Sequence, residues 1–177
     1  MTALSRLKIN LRAALDALYL WAGHAAAAAM LGILLLTVLQ ISARLTGYGI
    51  RGATDYAGYC MAASAFLAFA HALNHGAHIR IEVFLQFMGR RRVWGEKLSL
   101  AVSCAIALWL AWHSWDMVYW SWKFNDISQG PDATPLWIPQ ATMALGASLF
   151  AIAMIDHTAR LFATGDHGIL PSSGPAE

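Results

Sequence analysis

Four long runs almost free of charge constrain this chain more than any other feature. The first, Ala17 to Ala43, lies between Asp16 and Arg44 and holds only His24, Thr37, Gln40 and Ser42 as clearly polar members. About 20 helical residues cross the ~30 Å hydrocarbon core of a bilayer, so this run is long enough with residues to spare. Similar runs extend from Tyr56 to Asn74, from Leu98 to Trp122 with Asp116 as the one interruption, and from Pro135 to Ile155. None alternates with period two, and lipid tolerates no unsatisfied backbone polar group, so helices are expected rather than barrel strands. The predicted fold class is an all-α membrane protein with four transmembrane helices, at about 17–43, 56–74, 98–122 and 135–155.

Composition agrees with a chain dissolved largely in lipid: 58% of residues are hydrophobic and 12% charged. A net charge of +2, with its basic residues scattered between apolar runs, argues against nucleic-acid binding. The basic residues act instead as topological signals. Arg6, Lys8 and Arg12 precede the first span, Arg80, Arg90, Arg91, Arg92 and Lys97 lie between the second and third, and Arg160 follows the fourth. The alternate connections hold only Arg44, Arg51 and Lys123, so the positive-inside rule puts both termini in the cytoplasm. The first span exceeds the usual apolar core of a cleaved signal segment, and an uncleaved anchor is expected. Cys60 and Cys104 fall at different depths under this topology and are expected to pack as small apolar residues without a disulfide.

The connector from His75 to Lys97 is too long for a simple turn. Ile81, Phe84, Leu85 and Met88 recur at i, i+3, i+4 and i+7, while His78, Glu82, Gln86 and Arg90 recur every four residues on another face. An amphipathic helix over about 78–90 is expected to lie on the inner membrane surface, its arginines toward anionic headgroups, or to pack on another subunit. Residues 1–164 read as a single transmembrane domain. The tail at 165–177, rich in Gly, Pro and Ser, reads as disordered.

Catalytic signatures such as GxSxG, GxGxxG, the Walker loop and HExxH are missing from the sequence, so no enzyme activity, metal or cofactor is expected. Asp116 is the one acid inside an apolar run, placed near Trp115, Tyr119, Trp120 and Trp122 in what reads as an aromatic belt. A partner such as His113, or a basic group on another chain, is expected for it. Pro135 and Pro139 fall in the first turn or so of the last span, where a proline has no helical hydrogen bond to lose. Small residues, Gly23 with Ala25 to Ala29 and Gly32 in the first span and Ala141, Ala144, Gly146, Ala147 and Ser148 in the last, favour close helix contact in lipid. Trp109, Trp112, Trp115 and Trp122 supply large anchors on the third span. Physics alone therefore points to a partner subunit. A haem-carrying anchor of an oxidoreductase, using His24 and His71, is an alternative of another class, and a small homodimeric exporter a third.

Two stretches go further. His75 to Phe84 (HGAHIRIEVF), followed by the basic cluster Arg90 to Arg92, resembles a segment of the small DctQ-type membrane subunit of tripartite ATP-independent periplasmic (TRAP) transporters. Thr134 to Gln140 (TPLWIPQ), with Gly146, is similar to the start of that family's last helix. Where the family often has paired acids opening the second span, this chain has Thr54 and Asp55. The resemblance implies a noncatalytic scaffold in the bacterial inner membrane. Its implied partners are a large multi-span subunit carrying substrate and ion, and a periplasmic solute-binding protein. The system would import organic-acid-type solutes by ion-gradient-driven symport without ATP. On this reading His78, Arg80, Glu82 and Arg90 to Arg92 hold the cytoplasmic arm. Trp112 and Asp116 lie at the subunit or membrane interface, and Pro135, Trp137, Pro139 and Gln140 shape the start of the last span. Arg44, Arg51, Asp55 and Lys123 face the periplasm, where the binding protein docks.

Overall fold

The computed structural model describes residues 3–74, 92–131 and 133–164. They form four helices: α1 (Ala3–Leu45), α2 (Ala53–Asn74), α3 (Arg92–Lys123) and α4 (Trp137–Thr164). Each is long and apolar enough to cross a membrane. The expected interfacial helix at 78–90, with His78, Arg80, Glu82, Arg90 and Arg91, lies outside the described residues, as does the tail at 165–177. Arg92 is the first residue of α3.

The helices overrun the apolar runs that mark them. α1 continues back through Asp16 and Arg12, because no glycine or proline interrupts the chain before Gly23 and the Ala, Leu, Arg and Lys that fill this segment all favour helix. At 1.5 Å per residue α1 is about 65 Å long, twice the hydrocarbon thickness. α2 begins three residues before the expected Tyr56, and α4 runs nine residues past Ile155. Charge limits what lipid accepts; it does not end a helix.

What ends them is turn chemistry. At the C-terminus of α1, Tyr48 N donates to Ala43 O at 2.9 Å and Gly47 N to Arg44 O at 3.3 Å, with Gly47 at φ +81°. This is a Schellman closure, which needs a left-handed residue after the helix. α3 ends in the same way, with Asp126 N on Ser121 O at 3.0 Å, Asn125 N on Trp122 O at 3.3 Å, and Asn125 at φ +51°.

The four helices pack in one row, in the order α1, α2, α4, α3. α4 touches two neighbours and buries Ala144, Gly146, Ala147, Ala151, Ala153, Met154 and His157. α3 turns a stripe of Leu100, Cys104, Ala107, Ala111, Ser114, Val118 and Ser121 inward, spaced three and four residues apart, so that α4 can approach. Toward the chain termini, Tyr19 of α1, Ala70 and Leu73 of α2, Ala107 of α3 and Met154 of α4 meet in one buried cluster. Tyr19 is fully buried there.

Glycine sets the closest approaches. A Cβ at Gly146 would sit 2.6 Å from the Phe66 carbonyl carbon of α2, and one at Gly23 would sit 2.8 Å from the His71 ring. Gly23, Ala26 and Gly32 of the first span and Ala144, Gly146 and Ala147 of the last are thus helix contacts, as expected, whereas Ala25, Ala27 and Ala28 are exposed. Cys60 and Cys104 are both free thiols, half-buried.

Candidate functional site

The short connections 46–52 and 124–136 lie together at one end of the row, here the loop end, because the first leads into the start of α2 and the second is bonded to Tyr56 and Tyr59 there. α2 carries the pins that hold the longer connection. Tyr59 Oη donates to Ser128 Oγ at 2.9 Å, and Tyr56 Oη pairs with Thr134 Oγ1 at 3.1 Å. Ser128 N donates to Thr134 O at 2.8 Å and Leu136 N to Asp126 O at 2.9 Å, so the connection is a short antiparallel hairpin with Ile127 opposite Pro135. The Ser128 hydroxyl also accepts from Gly130 N at 3.1 Å. On the other side, Gln40 Nε2 of α1 donates to Thr54 Oγ1 of α2 at 2.9 Å. Sequence reading missed these tyrosine and threonine pins. Their only signal was a pair of tyrosines at the start of a span, which an aromatic belt explains equally well.

The docking residues expected from the resemblance all fall at this end. Arg44 closes α1, Arg51 sits in the first connection, Asp55 lies in the first turn of α2 and Lys123 ends α3. Arg44, Arg51 and Lys123 are exposed and Asp55 is half-buried. Asp55 at a helix N-terminus and Arg44 and Lys123 at C-termini also complement the helix dipoles. Lys123 Nζ lies 4.8 Å from the Trp120 ring centroid and 5.7 Å from that of Tyr119. The site is a small platform of charges on a pinned surface.

The residues of the TPLWIPQ stretch do several different things. Pro135 precedes α4 and pairs in the hairpin, a correction to its expected place within the first turn of the span. Leu136 caps the helix, its carbonyl accepting from Gln140 N at 3.2 Å, which puts Pro139 at the third helical position, where no N–H is missed. Pro139 is buried and Trp137 exposed. Gln140 Oε1 is buried without a hydrogen-bond donor among the described residues.

Asp116 is exposed on α3 and has no hydrogen-bond or ion-pair partner among the described residues. The expected pairing with His113 does not form, because the His113 ring turns back to Trp109, with Nδ1 3.1 Å from Trp109 O and ring centroids 4.4 Å apart. Trp112 and Trp109 are 75% and 61% exposed. Trp115, by contrast, turns toward α4 and donates from Nε1 to Ser148 Oγ at 2.9 Å.

His24 and His71 line one shallow cleft with Leu20, Gly23 and Ala27. Each ring has Nδ1 at a backbone carbonyl of α1, Leu20 O at 2.8 Å for His24 and Tyr19 O at 3.3 Å for His71. Among the described residues no group of three or more His, Cys, Asp or Glu side chains converges to hold a metal. His75 and His78, four and seven residues after His71, lie outside the described residues.

The family described as "Tripartite ATP-independent periplasmic transporters, DctQ component" matches residues 33–164. No curated protein and no solved structure gives a match. The match begins inside α1, runs through α2, α3 and the hairpin, and ends at the last residue of α4, so it covers the row of helices and its platform. With three quarters of its length matched and four helices able to span a bilayer, this chain belongs to the DctQ family of TRAP transporter components.

Proposed function

We propose that this chain is the small scaffold subunit of a TRAP transporter in the bacterial inner membrane, with both termini in the cytoplasm and the loop end in the periplasm. Nine Lys and Arg on the terminal side against three on the loop side support this orientation. The family is a transporter component and not an enzyme family. Its transport function engages a large membrane subunit, which carries substrate and coupling ion, and a periplasmic solute-binding protein.

The family match carries this reading, and the row of helices gives it a physical basis. A transport path must be shielded from lipid on all sides. A row whose outer helices each pack mainly on one neighbour has two broad faces and two edges to give to a larger subunit. The chain braces a larger subunit, and 1–164 acts as one domain. The amphipathic arm at 78–90, with His78, Arg80, Glu82 and Arg90 to Arg92, anchors the brace at the cytoplasmic rim. Arg44, Arg51, Asp55 and Lys123 receive the binding protein, and organic-acid-type anions are the solutes imported.

Reconstitution in proteoliposomes tests the proposal. Ion-gradient-driven uptake of a labelled dicarboxylate or sugar acid should require this chain, the large subunit and the binding protein together. Arg51→Glu and Lys123→Glu should raise the binding-protein concentration needed for half-maximal uptake. Solute movement by this chain alone would overturn the scaffold reading, and a haem absorption band in the purified complex would favour an electron-transfer anchor.

A further inference from the structure

The two edge helices present the same geometry at the same depth with opposite chemistry. Counting back from the loop-end residues Leu45 and Lys123, positions 14, 11, 10 and 7 are Leu31, Leu34, Leu35 and Val38 on α1, and Trp109, Trp112, His113 and Asp116 on α3. Both sets follow i, i+3, i+4, i+7 spacing, so each is one stripe, and all eight residues are exposed. At 1.5 Å per residue the stripes run from about 10 to about 21 Å below the loop end, within the apolar span. The α1 stripe is wholly aliphatic, which is what lipid tails accept. The α3 stripe carries a carboxylate, an imidazole and two indoles, and the indole N–H groups of Trp109 and Trp112 have no acceptor among the described residues.

A carboxylate on a membrane-facing surface is disfavoured unless another polar group meets it. The opposite face of α3, through Ala107, Ser114 and Ser121, is already filled by α4. Lys123 lies a further seven residues along and rests over Trp120 and Tyr119. We infer that the stripe Trp109, Trp112, His113 and Asp116 is the seat of the large membrane subunit, which sets a basic side chain against Asp116, while the α1 stripe faces lipid. A second copy of this chain fits poorly, since parallel two-fold pairing brings like groups together at one depth, Asp116 near Asp116. The inference rests on the scaffold reading and names the contact face that reading leaves open.

The test uses the assembled transporter, co-expressed with its large subunit, carrying a benzophenone photo-crosslinking residue in place of Trp112 or, at the same depth, Leu34. Crosslinks to the large subunit should form from position 112 and not from position 34. In a second arm, Asp116→Lys should lower recovery of the large subunit about thirtyfold or more, the scale for breaking a desolvated charged pair. Asp116→Asn, which keeps an acceptor, should lower it much less. Helix content of the purified small chain, measured by circular dichroism, should be unchanged in both variants. Crosslinks from position 34 but not 112, adducts from 112 only to lipid or to a second copy, or equal recovery with Asp116→Lys would overturn the inference and leave the scaffold reading standing. Failure of the large subunit to co-purify with the unmodified chain would overturn the scaffold reading itself, and this inference with it.

Discussion

Gly146→Ala places one methyl group where α2 and α4 are closest. The new Cβ would lie 2.6 Å from the Phe66 carbonyl carbon and 2.7 Å from both Phe66 O and Phe66 Cβ. Ordinary carbon contacts fall at about 3.5–4.0 Å, so the helices must part by roughly 1 Å. Two of the three nearest atoms are backbone and cannot rotate away. Overpacking of this kind costs about 1–3 kcal/mol, and the backbone contact puts this case in the upper part of that range. Alanine's better helix propensity, at most about 1 kcal/mol, offsets part of it. The net expectation is a loss of about 1–2 kcal/mol. Gly23→Ala meets the His71 ring at 2.8 Å, a side chain able to shift at the expense of its contact with Tyr19 O, and should cost less. Gly32→Ala meets only Cys60 Sγ at 3.4 Å and should be close to neutral. Unfolding of the purified chain in mixed micelles by graded SDS, followed by tryptophan fluorescence, would rank the three. A Gly146→Ala protein as stable as the parent, or a Gly32→Ala protein less stable than Gly146→Ala, would refute the claim that α2 and α4 touch backbone to backbone at this position.

The platform and the α3–α4 seam make three further expectations. Tyr59→Phe removes the hydroxyl that donates to Ser128 Oγ, worth about 1 kcal/mol, so the Ser128 and Leu136 amides should exchange hydrogen about fivefold faster while amides in the middle of α4 do not change. Ala133 holds φ at +49°, where a Cβ costs about 1–2 kcal/mol; Ala133→Gly should slow exchange in the hairpin, less any entropy added to the unfolded chain. Asn125→Gly should gain less, because asparagine tolerates its φ of +51°. Trp115→Phe loses the indole donor to Ser148 Oγ, and a double-mutant cycle with Ser148→Ala should give a coupling near 0.6–1 kcal/mol; a coupling of zero would mean that this bond contributes nothing to the seam.

The sequence determined that the chain contains four helices able to span a membrane, because hydrocarbon admits only helices and closed barrels, and these apolar runs are too long for barrel strands and lack their alternation. It also pointed to the close contacts at Gly23, Ala26 and Gly146, since small residues let helices approach in lipid, but not to the exposure of Ala25, Ala27 and Ala28 in the same stretch. It did not show where the helices end. Asp16, Arg12 and Asp156 lie inside helices, and the real stops at Gly47 and Asn125 depend on closures that form only when carbonyls three and four residues back are in place. Nor did it show the order of the row. Every span carries an apolar surface, and hydropathy cannot tell a lipid-facing leucine from a buried one. Only packing decided that α4 sits between α2 and α3, that Tyr56 and Tyr59 pin the hairpin across 78 and 69 residues of chain, and that His113 turns to Trp109 and leaves Asp116 facing outward. Periodicity is a property of one helix, whereas a neighbour's identity depends on all four.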